Sequence, residues 1–142
     1  MHLHHLGFVV RNAAQALRHF PAPQFGMLTP PIDDSLQRVV VQFFREVDAD
    51  TTWEIVSPLG SIADSPLSAR LKRGGGIDHV CYELAPGDRS IDDTIAHEVA
   101  HGAIVLCKPV MAAAFGRRVA FVFRRSGAVV EFVEPRLAGQ VV

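Results

Sequence analysis

The sequence predicts an α+β fold built from two βαβββ modules related by a pseudo-twofold, and three observations predict it. The strand-like segment Leu3-His4-His5-Leu6-Gly7-Phe8-Val9-Val10 is matched by Ile77-Asp78-His79-Val80-Cys81-Tyr82-Glu83-Leu84, and each holds a histidine in third place. Each segment is followed by a helical pattern and then by three apolar runs of strand type. The last runs also correspond, Trp53-Glu54-Ile55-Val56-Ser57-Pro58 with Val130-Glu131-Phe132-Val133-Glu134-Pro135, so each half carries one glutamate at the same place. A repeat of two implies paired modules and not a solenoid.

The elements follow in order. In the first module a helix is predicted over residues 12–20, opened by Asn12, whose short side chain suits the unpaired backbone N–H groups of a first turn. Strands are predicted over 25–29, 37–45 and 51–57. A short connecting helix over 65–72 ends at Gly74, Gly75 and Gly76, which act as helix stop and as linker. The boundary therefore falls there, with module one at about 1–73 and module two at about 74–142 of a single domain. The second module repeats the plan, with a helix over 90–101 capped by Ser90 and strands over 104–108, 118–123 and 128–133. His5 and Glu54 are 49 positions apart and His79 and Glu131 are 52 apart, a difference that one longer loop absorbs.

A chain of 142 residues is the size of one domain, and 49% apolar with 20% charged residues is a soluble globular composition. The longest apolar runs, such as residues 39–44, are too short to cross a bilayer, and no basic segment followed by an apolar one opens the chain. The expectation is a cytoplasmic protein without membrane association. Cys81 and Cys107 share no metal-ligand or redox spacing, and a net charge of −1 argues against wholesale binding to nucleic acid.

A carboxylate inside an apolar strand costs free energy unless it is paired or holds a metal. Glu54 and Glu131 stand in such strands. Alternation puts His5 on the face of Leu3 and Val9, and Glu131 on the face of Val129 and Val133, so both are expected to point into an apolar concavity. His5, Glu54, His79 and Glu131 together suit one divalent transition metal, with coordination positions left for substrate; cobalt, manganese, nickel, zinc and iron all accept this donor set. His2 and His4 fall outside it and are expected to be structural or exposed. Tyr82 and Trp53 alternate away from the ligands and are expected to pack under the helices.

A second pattern competes. His97-Glu98-Val99-Ala100-His101 matches the zinc protease motif, in which two histidines one turn apart hold the metal and the glutamate activates water. The predicted helix, however, buries Ile91, Ile95, Ala96 and Val99, which leaves His97 and His101 beside Asp93 and Thr94 on the solvent side. No third ligand on a partner helix follows Gly102.

Taken together, His5-Leu6-Gly7, Glu54 followed by Ser57-Pro58-Leu59-Gly60, Ser65-Pro66-Leu67, Gly74-Gly75-Gly76-Ile77-Asp78-His79 and Gly127-Ala128-Val129-Val130-Glu131 resemble the vicinal oxygen chelate (glyoxalase/bleomycin resistance/dioxygenase) superfamily. The two Ser-Pro-Leu loops combined with Gly-Gly-Gly-Ile-Asp-His are similar to those of methylmalonyl-CoA epimerases. The resemblance covers nearly the whole chain. It implies curved mixed sheets around a metal-binding cavity, the four ligands named above, and a homodimer. It also implies a metal-dependent isomerase, epimerase or lyase that works through a metal-stabilised enolate on a methylmalonyl-CoA-like acyl-CoA thioester. Two alternatives stand beside it: a glyoxalase I-like lactoylglutathione lyase, and a non-catalytic small-molecule-binding protein like those of bleomycin resistance, which commonly lack the quartet.

The pattern departs from the epimerases at one place. Their glutamate just before the strand that matches residues 39–44 falls here on Leu36, followed by Gln37 and Arg38, with Asp33 and Asp34 out of register by two or three residues. The resemblance leaves Glu131 as the catalytic base, by leaving the metal as a ligand glutamate does in glyoxalase I. Glu83, on the face of His79, reads either as another acid or as a strand-end charge in solvent. Lys72, Arg73, Arg117 and Arg118 read either as holders of coenzyme A phosphates or as solvated charges.

Overall fold

A computed structural model of the chain describes residues 1–18, 25–47 and 50–142. The architecture is α+β, as the repeat predicts. The chain divides into two compact units, one formed by His5–Asp78 and the other by Met1–His4 with His79–Val142.

The first unit draws on β1 (His2–Val9), α1 (Ala13–Leu17), β2 (Phe25–Met27), β3 (Ile32–Asp34), β4 (Val39–Glu46), β5 (Thr52–Pro58) and α2 (Ser68–Lys72). Its strands lie in the order β2-β4-β5-β1, with β3 also paired to β4. β1 runs parallel to β5, and β4 antiparallel to it. Asn12 opens α1 as expected, its side chain accepting a bond from the Gln15 N–H at 2.9 Å; the part of the predicted helix beyond Arg18 lies outside the described residues. β3 was not predicted. Pro30 and Pro31 lack the N–H groups a ladder needs, so the chain leaves the sheet after β2 and rejoins it at Ile32. β4 starts at Val39 and not at 37, because Asp34 accepts the Gln37 N–H at 2.9 Å and Arg38 sits at φ 57°, which makes these residues a turn. α2 is shorter than predicted at its start, where the Ser65 hydroxyl accepts the Leu67 N–H in a turn of its own.

The second unit takes β6 (Gly76–Glu83) from His79 onward and holds α3 (Ile91–Ala100), β7 (Ile104–Ala112), β8 (Arg117–Phe123) and β9 (Val129–Val133), with strands ordered β6-β9-β8-β7. β6 is parallel to β9, and β8 is antiparallel to both β9 and β7. Ser90 caps α3 by accepting the Asp93 N–H. The buried side chains of α3 are Ile91, Thr94 and Ile95, at positions i, i+3 and i+4, while Ala96 and Val99 are exposed. The predicted helix face is thus rotated: Thr94 goes in and Val99 goes out. Ile91 and Ile95 pack on Ala120, Val122, Val130 and Phe132, and Tyr82 packs against the same cluster as expected. β7 runs four residues past its predicted end, through Pro109. That is tolerated because β7 closes this strand order and the ladder slips register between Cys107 and Val110, so no partner needs the missing donor. No helix among the described residues is long and apolar enough to cross a membrane.

Candidate metal centre

Parallel pairing of first and last strand fixes the same local geometry in each unit. In the first, Gly7, two residues after His5, is the register partner of Glu54. In the second, Cys81, two residues after His79, is the partner of Glu131. Side chains two apart on a strand share a face, so each glutamate stands diagonally beside its histidine on the neighbouring strand. His5 Nε2 lies 3.4 Å from a Glu54 carboxylate oxygen, and His79 Nε2 lies 3.3 Å from one of Glu131. All four side chains are buried.

A third member of each set was not foreseen. Phe43 is the register partner of Glu54, and Phe121 of Glu131. Each ring meets its histidine edge-on, His5 with Phe43 at 5.3 Å and His79 with Phe121 at 5.3 Å. The sequence signal was present in the equivalent third strands, but a phenylalanine in an apolar run announces nothing until the register is known. The ring locks the imidazole plane by packing, leaving its Nε2 directed at the carboxylate. Donors about 3 Å apart are what two ligands at right angles present when each lies about 2.1 Å from one ion. The spacing and the nitrogen-plus-oxygen chemistry of each pair therefore fit half of a transition-metal site.

Glu83 is not a solvated strand end. It is buried, and its carboxylate accepts from Arg117 at 3.0 Å and from Arg136 at 3.2 Å. Burial by itself would raise its pKa, but the Arg117 hydrogen bond and the charges of Arg136 and Arg117 outweigh it and hold the carboxyl below the ordinary glutamate range. His4 is buried as well, edge-on to Phe115 at 5.5 Å and with Nε2 3.6 Å from Glu83, while His2 is exposed at the margin of the same group. His4 and His2 are structural and exposed respectively, within the range expected.

Arg117 is buried too, its Nη1 donating to Glu83 and to the Glu134 carbonyl, so it is spent inside the unit and does not reach out for phosphates. Arg118 is engaged by Glu134 and Asp92. Lys72 and Arg73 are exposed. Leu36 is exposed in the turn before β4, and Asp34, although buried, is occupied with Gln37 through both oxygens.

The helix motif is dismantled by its own glutamate. Glu98 turns toward the sheet and accepts two bonds from Arg124, at 2.8 and 2.6 Å. His97 and His101 are exposed, and the His101 ring bonds the His97 carbonyl. A metal-bound water activated by Glu98 has no place in this arrangement.

The sequence profile of the Glyoxalase/Bleomycin resistance protein/Dioxygenase superfamily matches residues 3–121. The chain belongs to this superfamily, the vicinal oxygen chelate proteins. The match includes His5, Glu54 and His79, and Glu131 lies just beyond it. A hypothetical protein of Bacillus halodurans is 25% identical, covers 97% of this chain and 96% of its own, and superposes with a TM-score of 0.78. The methylmalonyl-CoA epimerase of Mycobacterium tuberculosis is 19% identical over 95% of this chain and 88% of its own, with a TM-score of 0.73. A Streptomyces coelicolor methylmalonyl-CoA epimerase variant in complex with 2-nitronate-propionyl-CoA is 17% identical over 95% and 97%, with a TM-score of 0.74. At such identities the epimerases establish the shared fold. A search of curated proteins by sequence returns no match.

Proposed function

We propose that the chain is a metal-dependent isomerase, epimerase or lyase that moves a proton next to the carbonyl of an acyl-CoA thioester. The observation that carries this reading is the duplicated buried His-Glu pair, set in identical register in each unit and backed by an edge-on phenylalanine. His5, Glu54, His79 and Glu131 would hold one divalent ion. When bound, that ion supplies Lewis acidity to substrate oxygen atoms and so lowers the cost of removing the proton between them. Burial of the four side chains keeps water from competing at the donors, and the phenylalanine rings keep both imidazoles oriented. Glu131 is the candidate base, a carboxylate that accepts the substrate proton when in hydrogen-bond reach of it. A methylmalonyl-like thioester is the favoured substrate class, supported by the sequence motifs and by the fold shared with epimerases.

The test has two steps. Metal content is measured on untagged protein, for wild type and for His79→Ala and His97→Ala. A stoichiometric divalent ion lost only in His79→Ala supports the reading, and loss only in His97→Ala overturns it. Proton exchange of methylmalonyl-CoA with deuterated solvent then tests the chemistry, with Glu131→Gln expected to abolish it. Leu36, exposed where epimerases carry a glutamate, favours one second reading, a metal-holding binding protein without chemistry. Stoichiometric metal with no exchange across a panel of thioesters, and no turnover of a glutathione hemithioacetal, would select it.

A further inference from the structure

The repeat of histidine, glutamate and phenylalanine breaks one step further along the same face. In the second unit Phe123, two residues after Phe121, pairs with Val129 on one side and with Ile104 on the other, and Val129 pairs with His79. Ladder partners share a face, so His79, Val129, Phe123 and Ile104 form one row across the sheet. The neighbouring row is Cys81, Glu131, Phe121 and Cys107. Apart from the His-Glu pair, neither row holds a charged side chain. Exposure rises outward along the first row, from His79 at 6% to Phe123 at 40% and Ile104 at 63%.

The first unit has no such row. Two residues after Phe43 stands Arg45, and its partner on β2 is Gly26. One module thus carries an exposed cation and a glycine where the other carries Phe123 and Ile104, so the apolar row is not something the module needs in order to fold. It is also one feature by which the two halves differ beside the duplicated His-Glu-Phe arrangement.

We propose that this row seats an uncharged apolar acyl substituent. With its oxygen atoms directed to the ion that His79 and Glu131 would help to hold, the substrate lays an alkyl chain of several carbons, longer than a methyl group, over Phe121 onto Phe123 and Ile104. Adjacent strands are about 4.8 Å apart, so Phe121 lies about one strand spacing from Glu131, and Phe123 about two from His79. A single methyl group does not span that; an extended substituent does. The proposal rests on the thioester reading above and deepens it by replacing the methyl group of a methylmalonyl-like thioester with a longer alkyl substituent at the same carbon.

The test is equilibrium binding by calorimetry of malonyl thioesters of N-acetylcysteamine bearing hydrogen, methyl, butyl or hexyl at carbon 2, to wild type, Phe123→Asp and Ile104→Asp, with proton exchange read in parallel. Burial of one methylene corresponds to at most about a fourfold gain, so wild-type affinity should rise about two- to fourfold per carbon. The slope, read as each substituted thioester's affinity relative to the unsubstituted one in the same protein, should flatten in either variant. Both substitutions are at exposed positions, and circular dichroism confirms that each variant is folded. A flat series in wild type, or an undiminished slope in both variants, overturns the proposal. A dimer that dissociates in Phe123→Asp together with a flat wild-type series assigns the row to a second copy and also overturns it. A slope without proton exchange removes the epimerase reading and leaves this one standing.

Discussion

Glu98 is clamped by Arg124 through two bonds of 2.8 and 2.6 Å, and the same guanidinium lies 5.9 Å above the Phe132 ring. The arrangement ties the outer end of α3 to the sheet it covers, so this glutamate holds a helix in place and has no part in metal chemistry. Replacing Glu98 by Ala should cost about 1 kcal/mol of stability, the value of a well-formed two-bond pair at a partly exposed site. Metal content should not change. Urea unfolding and metal analysis of Glu98→Ala check both, and a metal-free variant would contradict the assignment.

Acid should destabilise the protein through three paired glutamates. The Arg124 hydrogen bond lowers the pKa of Glu98; burial would raise those of Glu83 and Glu134, but Arg117 and Arg136 for the first, and Arg118 for the second, lower them on balance. A carboxyl whose folded pKa is depressed contributes stability that is fully present above its unfolded value and is lost as pH falls through the folded value. The urea midpoint of metal-free protein should therefore hold steady from neutrality to about pH 5 and decline below it. The decline should be shallower in Glu98→Gln, which removes one of the three groups. A midpoint that instead rises on acidification would contradict these pairings.

Much of this was legible in the sequence, for reasons that differ by residue. The pairing of His5 with Glu54 and of His79 with Glu131 was legible because internal repetition restores register information that a single strand lacks. β3 was missed because Ile32, Asp33 and Asp34 are too few and too polar to alternate, and β7 was cut short at Pro109 because the sequence does not say which strand closes the order. The α3 face was rotated because Val99 outweighs Thr94 in hydropathy, while the actual packing is set by where Ile91 and Ile95 meet Phe132 and by the pull of Arg124 on Glu98. Glu83 was misplaced for a deeper reason: its partners Arg117 and Arg136 are 34 and 53 positions away, and no local pattern encodes a long-range ion pair.

That ion pair gives a prediction of its own. Arg117 and Glu83 are both almost fully buried, so Glu83→Gln removes the countercharge of a guanidinium that cannot reach water. The expected cost is about 3 kcal/mol, most of it the penalty of a buried uncompensated charge. Replacing both, as Glu83→Gln with Arg117→Met, should recover a large part of the loss because the charge goes with its partner. Equilibrium unfolding of the single and double variants decides it. An additive double variant would mean that the two residues do not act as a pair.

The glycine run after α2 permits a comparison between two neighbours. Gly74 and Gly75 both have positive φ, 102° and 71°, and their N–H groups bond back to the Leu71 and Arg70 carbonyls as α2 ends. A Cβ added at Gly74 meets nothing within 4 Å, whereas at Gly75 it falls 2.5 Å from the Val9 carbonyl oxygen. Gly74→Ala should therefore cost only the backbone penalty of about 1–2 kcal/mol. Gly75→Ala adds a collision with β1 just where its ladder to β5 finishes at Val9 and Val56, and should cost about 3 kcal/mol in total. Because β1 also carries His5, only Gly75→Ala should disturb the His5–Glu54 pair and weaken metal retention. Urea unfolding and metal content of the two variants separate the effects; equal losses at both positions would mean that the close approach to Val9 is not maintained in solution.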